Sequence, residues 1–214
     1  MMVALILAAI TRSQAQEYDG PCLPPTHGLD DHQSAFCGST VTQTIALSAG
    51  TNWFSSNVEI TLAQLEEAIV AGMTNATGTT IKAKDGKTTT YNGTRWRGTL
   101  TSLDVAQMYK ITATSACEIT LEGEPIIPAE HPVTIQANAT TWIGFPLGQS
   151  MTVTDAFAGF DAVSGDQIKA KNGNSTSFNG TRWRGTLTNL EPGKGYVFSS
   201  NSAQDRTLVY PTSK

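Results

Sequence analysis

The sequence predicts a mostly β, α+β protein made of two tandem homologous domains, each barrel- or sandwich-like with one short helix. Three observations lead there. The phrase Asn-Gly-Thr-Arg-Trp-Arg-Gly-Thr-Leu-Thr fills residues 92–101 and returns at 179–188, an offset of 87. A helical stripe of apolar residues occurs once per copy. Between turn signals the remaining segments are short and alternate apolar with polar residues, the period-2 pattern of strands. The likeness extends further: Ile81-Lys82-Ala83-Lys84 returns as Ile168-Lys169-Ala170-Lys171, and Tyr109 as Tyr196, at the same offset. Trp53 returns as Trp142 and Thr61-Leu62 as Thr152-Val153, at offsets of 89 and 91. The first copy therefore carries a few extra residues between its helix and its Ile-Lys strand. A repeat of this length is a small domain, too long for a solenoid unit.

The elements follow in the same order in each copy. Residues 44–47 alternate as a strand, and residues 53–58 form a second. Thr61 is a good N-cap for a helix over 62–71, where Leu62, Leu65, Ile69 and Val70 make the stripe. In the second copy Thr152 or Thr154 caps a shorter helix reaching Phe157 and Phe160. Strands are then expected at 80–84, 87–91, 94–100, 108–114 and 117–121. The Asn92-Gly93 and Asn179-Gly180 dipeptides predict two-residue type I′ hairpins. That turn pairs Tyr91 with Thr94 and Thr89 with Trp96. Opposed side chains share a face, so Trp96 and Leu100 lie on one face and Arg95 and Arg97 on the other. Trp183 and Leu187 stand against Arg182 and Arg184 in the same way.

The chain divides into an apolar signal-peptide segment (1–15), an irregular leader (16–42), a first repeat domain (43–123), a linker (124–131) and a second repeat domain (132–214). Residues 2–10 have the length of a signal-peptide h-region, too short to span a bilayer. Ser13 and Ala15 supply small residues for cleavage, although no positively charged n-region precedes them. A buried N-terminal helix is the alternative. In the leader, Cys22 and Cys37 flank a Pro- and Gly-rich loop, which favours a disulfide in an exported chain. Cys22, His27, His32 and Cys37 also allow a Cys2His2 metal site, though the spacing matches none of the common zinc patterns. Cys117 reads as a buried free thiol.

Composition narrows the function. Across 214 residues the net charge is −4, which argues against a nucleic-acid partner. Charged residues make up 15%, below the roughly 25% of ordinary soluble domains. Thr, Ser, Asn and Gly fill the difference, as suits exposed β-surfaces of a secreted protein. Five Asn-x-Ser/Thr sequons, at Asn75, Asn92, Asn138, Asn174 and Asn179, are acceptors only in a glycosylating host. No nucleophile elbow, zinc-protease helix, P-loop or dinucleotide glycine pattern occurs, and no His recurs between the copies. The expectation is a non-enzymatic protein without a cofactor.

The candidate binding residues are aromatic and basic. Trp96 and Trp183 share the face of Leu100 and Leu187, so each is either a core residue or a sugar-stacking ring. Trp53 and Trp142, each following a turn, are either packing anchors or sugar platforms. Arg95, Arg97, Arg182 and Arg184 project outward. Two guanidiniums on one strand suit an anion such as a glycan carboxylate or sulfate. They also suit a plain ion pair of Arg97 with Asp104 and of Arg184 with Glu191.

The run Trp-Arg-Gly-Thr-Leu-Thr-Asn-Leu-Glu-Pro-Gly-Lys-Gly-Tyr (183–196) resembles a tandem module of exported and surface proteins of Bacteroidetes. Trp-Ile-Gly-Phe-Pro-Leu (142–147) and Gly165-Asp166-Gln167-Ile168 fit the same module. The first copy departs from it at Val105-Ala106-Gln107-Met108, where the Pro-Gly-Lys-Gly turn is missing. The resemblance implies an accessory, non-catalytic part of a surface protein. The expectation is therefore a secreted or surface-displayed protein for adhesion or extracellular assembly, filaments included. Its partners would be a glycan, another protein or further copies of itself, with no membrane span in the mature chain. The alternative is a carbohydrate-binding module that uses the Trp/Arg hairpins.

Overall fold

The computed structural model describes residues 39–212. The signal-peptide and leader expectations, including Cys22, His27, His32 and Cys37, lie outside the described residues. The first copy opens with β1 (Val41–Leu47), which buries Gln43, Ile45 and Leu47 in alternation, and β2 (Gly50–Phe54). Helix α1 (Leu62–Gly72) begins at the predicted cap. The Thr61 hydroxyl accepts from Gln64 N–H at 3.2 Å, and the Gln64 side chain accepts from Thr61 N–H at 2.8 Å. This reciprocal capping box satisfies N–H groups that the first turn leaves unpaired. The apolar stripe buries Leu62, Leu65 and Ile69, each burial stabilising by about 1.5–3 kcal/mol. There follow β3 (Thr80–Lys82), β4 (Thr88–Tyr91), β5 (Trp96–Gly98), β6 (Tyr109–Ala113) and β7 (Cys117–Gly123).

The second copy repeats the plan with β8 (Val133–Ile135), β9 (Thr140–Ile143), β10 (Met151–Thr152) and α2 (Val153–Ala156). After them come β11 (Gln167–Ala170), β12 (Ser175–Phe178), β13 (Trp183–Gly185), β14 (Asn189–Leu190), β15 (Tyr196–Ser199) and β16 (Arg206–Leu208). Thr152 is the N-cap of α2. The helix stops short of the predicted Phe160, and Gly159 then adopts φ +84°, a left-handed backbone natural only to glycine.

Each copy sets a five-stranded antiparallel sheet beside a two-stranded one. The orders are β2-β6-β3-β4-β5 with β1-β7, and β9-β15-β11-β12-β13 with β8-β16, while β10 pairs with β14. These are sandwich-like layers and not the closed barrels that were the other expectation, because the sheets keep free outer edges at β5 and β13. One core gathers Leu65, Ile69, Ile81, Ile111 and Ile119, and the other Ile135, Phe145, Ile168, Phe198 and Leu208.

The copies meet across a pseudo-two-fold axis. Gly195 N–H donates to the Trp53 carbonyl at 3.0 Å, and its counterpart Met108 N–H to the Trp142 carbonyl at 3.5 Å. Ser55 N–H donates to the Gly193 carbonyl at 3.3 Å, matched by Gly144 N–H to the Ala106 carbonyl at 2.9 Å. The β-bridges Phe54–Lys194 and Gln107–Ile143 are counterparts as well. Each of these backbone contacts thus has a partner with the roles of the copies exchanged, as in an isologous dimer interface. This explains why β2 ends at Phe54 although strand was expected to Val58. Ser55 turns into the interface, where its hydroxyl donates to the Lys194 carbonyl at 2.7 Å and accepts from Phe145 N–H at 3.2 Å.

Residues 124–131, expected as a linker, are bound to the first copy. Glu59 N–H donates to the Glu124 carbonyl at 2.8 Å, Ile126 N–H to the Asn57 carbonyl at 3.2 Å, and His131 reaches Glu59 at 2.6 Å. Residues 39–212 consequently fall within one compact unit.

Candidate functional site

The repeated phrase builds a hairpin at the outer edge of each sheet. The loop is longer than a two-residue turn. Tyr91 pairs with Trp96, Thr90 with Arg97 and Thr89 with Gly98, leaving Asn92 to Arg95 as a four-residue connection. A type I′ turn needs positive φ at both central residues, and Asn92 does not adopt it, whereas Gly93 does at +97°. Asn92 instead spends its side chain on the loop. Its Oδ1 accepts from Thr94 N–H, the Thr94 hydroxyl and Arg95 N–H at 3.0, 2.9 and 2.9 Å. Asn179 does the same for Thr181 and Arg182. The register therefore slips by two residues from the expected one. A slip of two preserves which face each side chain occupies, so Trp96 and Arg97 keep their expected sides.

Past the hairpin the chain crosses close over the preceding strand. The Thr88 carbonyl accepts from both Thr99 N–H at 2.8 Å and Leu100 N–H at 3.0 Å, and the Ser175 carbonyl from Thr186 and Leu187 N–H at 2.8 and 3.1 Å. A Cβ on Gly98 would collide with the Thr88 carbonyl, and one on Gly185 with that of Ser175. Leu100 and Leu187 then enter the cores. The repeated tyrosines brace the same corner. The Tyr109 hydroxyl accepts from Asp104 N–H at 2.7 Å, and the Tyr196 hydroxyl from Glu191 N–H at 2.8 Å. Burial pushes the Tyr196 hydroxyl up to about 12.

Trp96 and Trp183 are half-buried against the cores. The Trp96 ring lies 5.5 Å from Tyr91, with its Nε1 buried and unpartnered among the described residues. Trp183 sits among Phe157, Phe178 and Phe198, at 5.2, 5.3 and 6.4 Å. Arg95, Arg97, Arg182 and Arg184 are exposed. The expected ion pairs with Asp104 and Glu191 do not form: among the described residues none of the four makes one. The Asp104 carboxylate is occupied elsewhere, accepting from Ala106 N–H at 3.0 Å and Gln107 Nε2 at 2.8 Å.

Trp53 and Trp142, half-buried, come together at the pseudo-two-fold. Lys110 Nζ lies 5.6 Å from the Trp53 ring centroid and 4.4 Å from that of Trp142, within cation–π range. Sequence reasoning missed Lys110, whose counterpart Val197 gives no signal of it. It also missed Asp166 and Arg206, a bidentate pair at 2.7 and 2.9 Å with the carboxylate fully buried. Burial by itself would raise the Asp166 carboxyl. The Arg206 guanidinium and the N–H groups of Asn201 and Val163 outweigh it and hold the group below the usual carboxylate range. Burial also raises Glu66, although the Thr89 hydroxyl donates to it at 3.1 Å.

Among the described residues no cluster of three His, Cys, Asp or Glu side chains could hold a metal ion, and no helix is long and apolar enough to cross a membrane. Cys117 is a half-buried free thiol whose pKa burial raises. Comparison with family models, with curated proteins and with solved structures gives no match.

Proposed function

We propose that this chain is a non-enzymatic, secreted or surface-displayed tandem-repeat protein of adhesion or extracellular assembly, which grips an anionic partner surface with its two arginine hairpins. One observation carries the reading. Within the ten residues kept in both copies, Asn92, Gly93, Trp96, Gly98 and Leu100 each answer a demand of the fold. Arg95 and Arg97 answer none: both are exposed and neither pairs with an acid among the described residues. The positions just before the repeated phrase changed, since Lys87-Thr88-Thr89-Thr90-Tyr91 stands where the second copy has Asn174-Ser175-Thr176-Ser177-Phe178 and only the threonine at 89 and 176 is shared. A guanidinium kept at such a position serves something outside the molecule.

Guanidinium groups match sulfate and carboxylate oxygens with paired hydrogen bonds. In a chain of net charge −4, these local cations are what would attract an anionic surface. Two hairpins on two related sheets can engage it at two points, which raises avidity without any new contact. The resemblance to a module of exported and surface Bacteroidetes proteins agrees with that location. A carbohydrate-binding role is the second reading, favoured where the anion is the sulfate or uronate of a glycan.

The test is retention on an immobilised sulfated polysaccharide and on its unsulfated parent. Binding should be confined to the sulfated form and fall as salt rises, because exposed charges are screened within about 10 Å at 0.1 M. Equal retention on both polymers would rule the reading out.

A further inference from the structure

The pseudo-two-fold makes two equivalent grooves between the copies, and they differ in how they are closed and in how their polar groups are paired. The first is a single cavity of about 420 Å³, bordered by Ser48 and Trp53 on one side and by Lys171, Asn174, Glu191 and Lys194 on the other. In the second, the counterparts are Gln136 and Trp142 against Lys84, Lys87, Asp104 and Gln107. There the space is split into two cavities of about 450 and 270 Å³, and Lys84 and Gln136 line both. Their side chains meet at 2.6 Å, a strap across the groove. In the first groove the strap is missing, because Ser48 is too short to reach Lys171 as Gln136 reaches Lys84.

The polar groups of the two grooves are spent differently. In the strapped groove Lys84 holds Gln136, Lys87 holds Asp85 at 2.8 Å, and Gln107 donates to Asp104 at 2.8 Å. In the open groove the counterparts are Lys171, the amides Asn172 and Asn174, Glu191 and Lys194. Among the described residues no ion pair or hydrogen bond engages the side chain of Lys171, Glu191 or Lys194. Apart from Asn172 Oδ1, which accepts from Asn174 N–H at 3.0 Å, these side chains are thus self-satisfied in one copy and left unused in the other.

We propose that the open groove binds a short acidic saccharide. Two ammonium groups, Lys171 and Lys194, against the one carboxylate of Glu191 select a ligand carrying a carboxylate. The amides of Asn172 and Asn174, the Thr188 hydroxyl and the Glu191 carboxylate offer both donors and acceptors for sugar hydroxyls. The volume is at the lower end of small-molecule sites, roughly 300–1,000 Å³, which suits one or two sugar units. None of the four hairpin arginines lines the groove, so the assignment does not rest on the hairpins.

Titration calorimetry with digalacturonate, and with cellobiose as the neutral control, tests it. Digalacturonate should bind one per chain, and cellobiose at least tenfold more weakly. Lys171→Gln and Lys194→Gln should each weaken binding at least tenfold. Ser48→Gln, which rebuilds the strap, should do the same with no loss of melting temperature, because Ser48 bonds Asn52 through its backbone alone. In the quadruple Arg→Gln hairpin variant, which removes any uronate binding at the hairpins, the groove should still bind one digalacturonate per chain. Absence of binding, two molecules per chain of the hairpin variant, or insensitivity to the strap and lysine variants overturns the groove. Loss in the arginine variant also overturns it, by moving the site to the hairpins, and leaves the hairpin reading standing.

Discussion

Asp166 and Arg206 solve in the second copy a problem that the first solves with the buried Thr79 and the half-buried Cys117, which stands opposite Leu47 as Arg206 stands opposite Ile135. A buried ion pair and an apolar packing of the same site are often close in net stability, whereas removing one partner strands a charge and costs about 3–5 kcal/mol. Asp166→Thr or Arg206→Cys alone should therefore cost about that much by denaturant unfolding. The double substitution, which installs the first copy's solution, should cost less than either. A double variant as unstable as the two losses added would contradict this. Acid should act through the same carboxyl. It titrates below its unfolded value of about 3.9, so its contribution is complete above that pH and is lost as pH falls through the folded value. The penalty of Asp166→Asn should accordingly shrink at low pH. Neither residue was legible in the sequence, because their counterparts are apolar or neutral and a comparison of the copies passes over them.

The hairpin separates what a strand sequence reveals from what it conceals. Asn-Gly announced the turn, and alternation gave the correct faces. The register could not be read, because it depended on whether Asn92 would take a left-handed backbone or cap the loop with its side chain, and both suit Asn. The glycine after each Trp-Arg carried no local signal of its role, since what it makes room for is the backbone of the preceding strand. Substituting Gly98 or Gly185 by Ala should destabilise by about 1–3 kcal/mol, the usual cost of overpacking, with larger loss if the strand end detaches. Thermal melts of the two variants measure it, and an unchanged midpoint would show that the close approach is not required. Trp96 and Trp183, for which core and sugar-stacking positions were both open, are half-buried, packed against the cores from the edge strands β5 and β13.

At the scale of the whole molecule, duplication has produced an internal dimer. The repeat was plain in the sequence, but its two-fold arrangement was not, because the contacts that define it join residues 34 to 142 positions apart. The axis admits only one large side chain: Met108 is fully buried, and a Cβ on its counterpart Gly195 would collide with Met108 Cγ. Gly195→Ala should thus destabilise the chain, and Met108→Ala should relieve part of that cost, an interaction read from a double-mutant cycle. Strict additivity would mean that the two sites do not meet. The same symmetry gives the molecule two arginine hairpins, and the central claim is that these act outward and not on the fold. The most direct measurement compares binding to the sulfated polysaccharide by the wild type, Arg95→Gln/Arg97→Gln, Arg182→Gln/Arg184→Gln and the variant carrying all four substitutions. Each single-hairpin variant should lose about tenfold or more through broken bivalency, and the fourfold variant should lose binding altogether. All should melt within about 1 kcal/mol of the wild type, as exposed charges permit. Undiminished binding by the fourfold variant, or loss of binding that tracks loss of stability, would contradict the account.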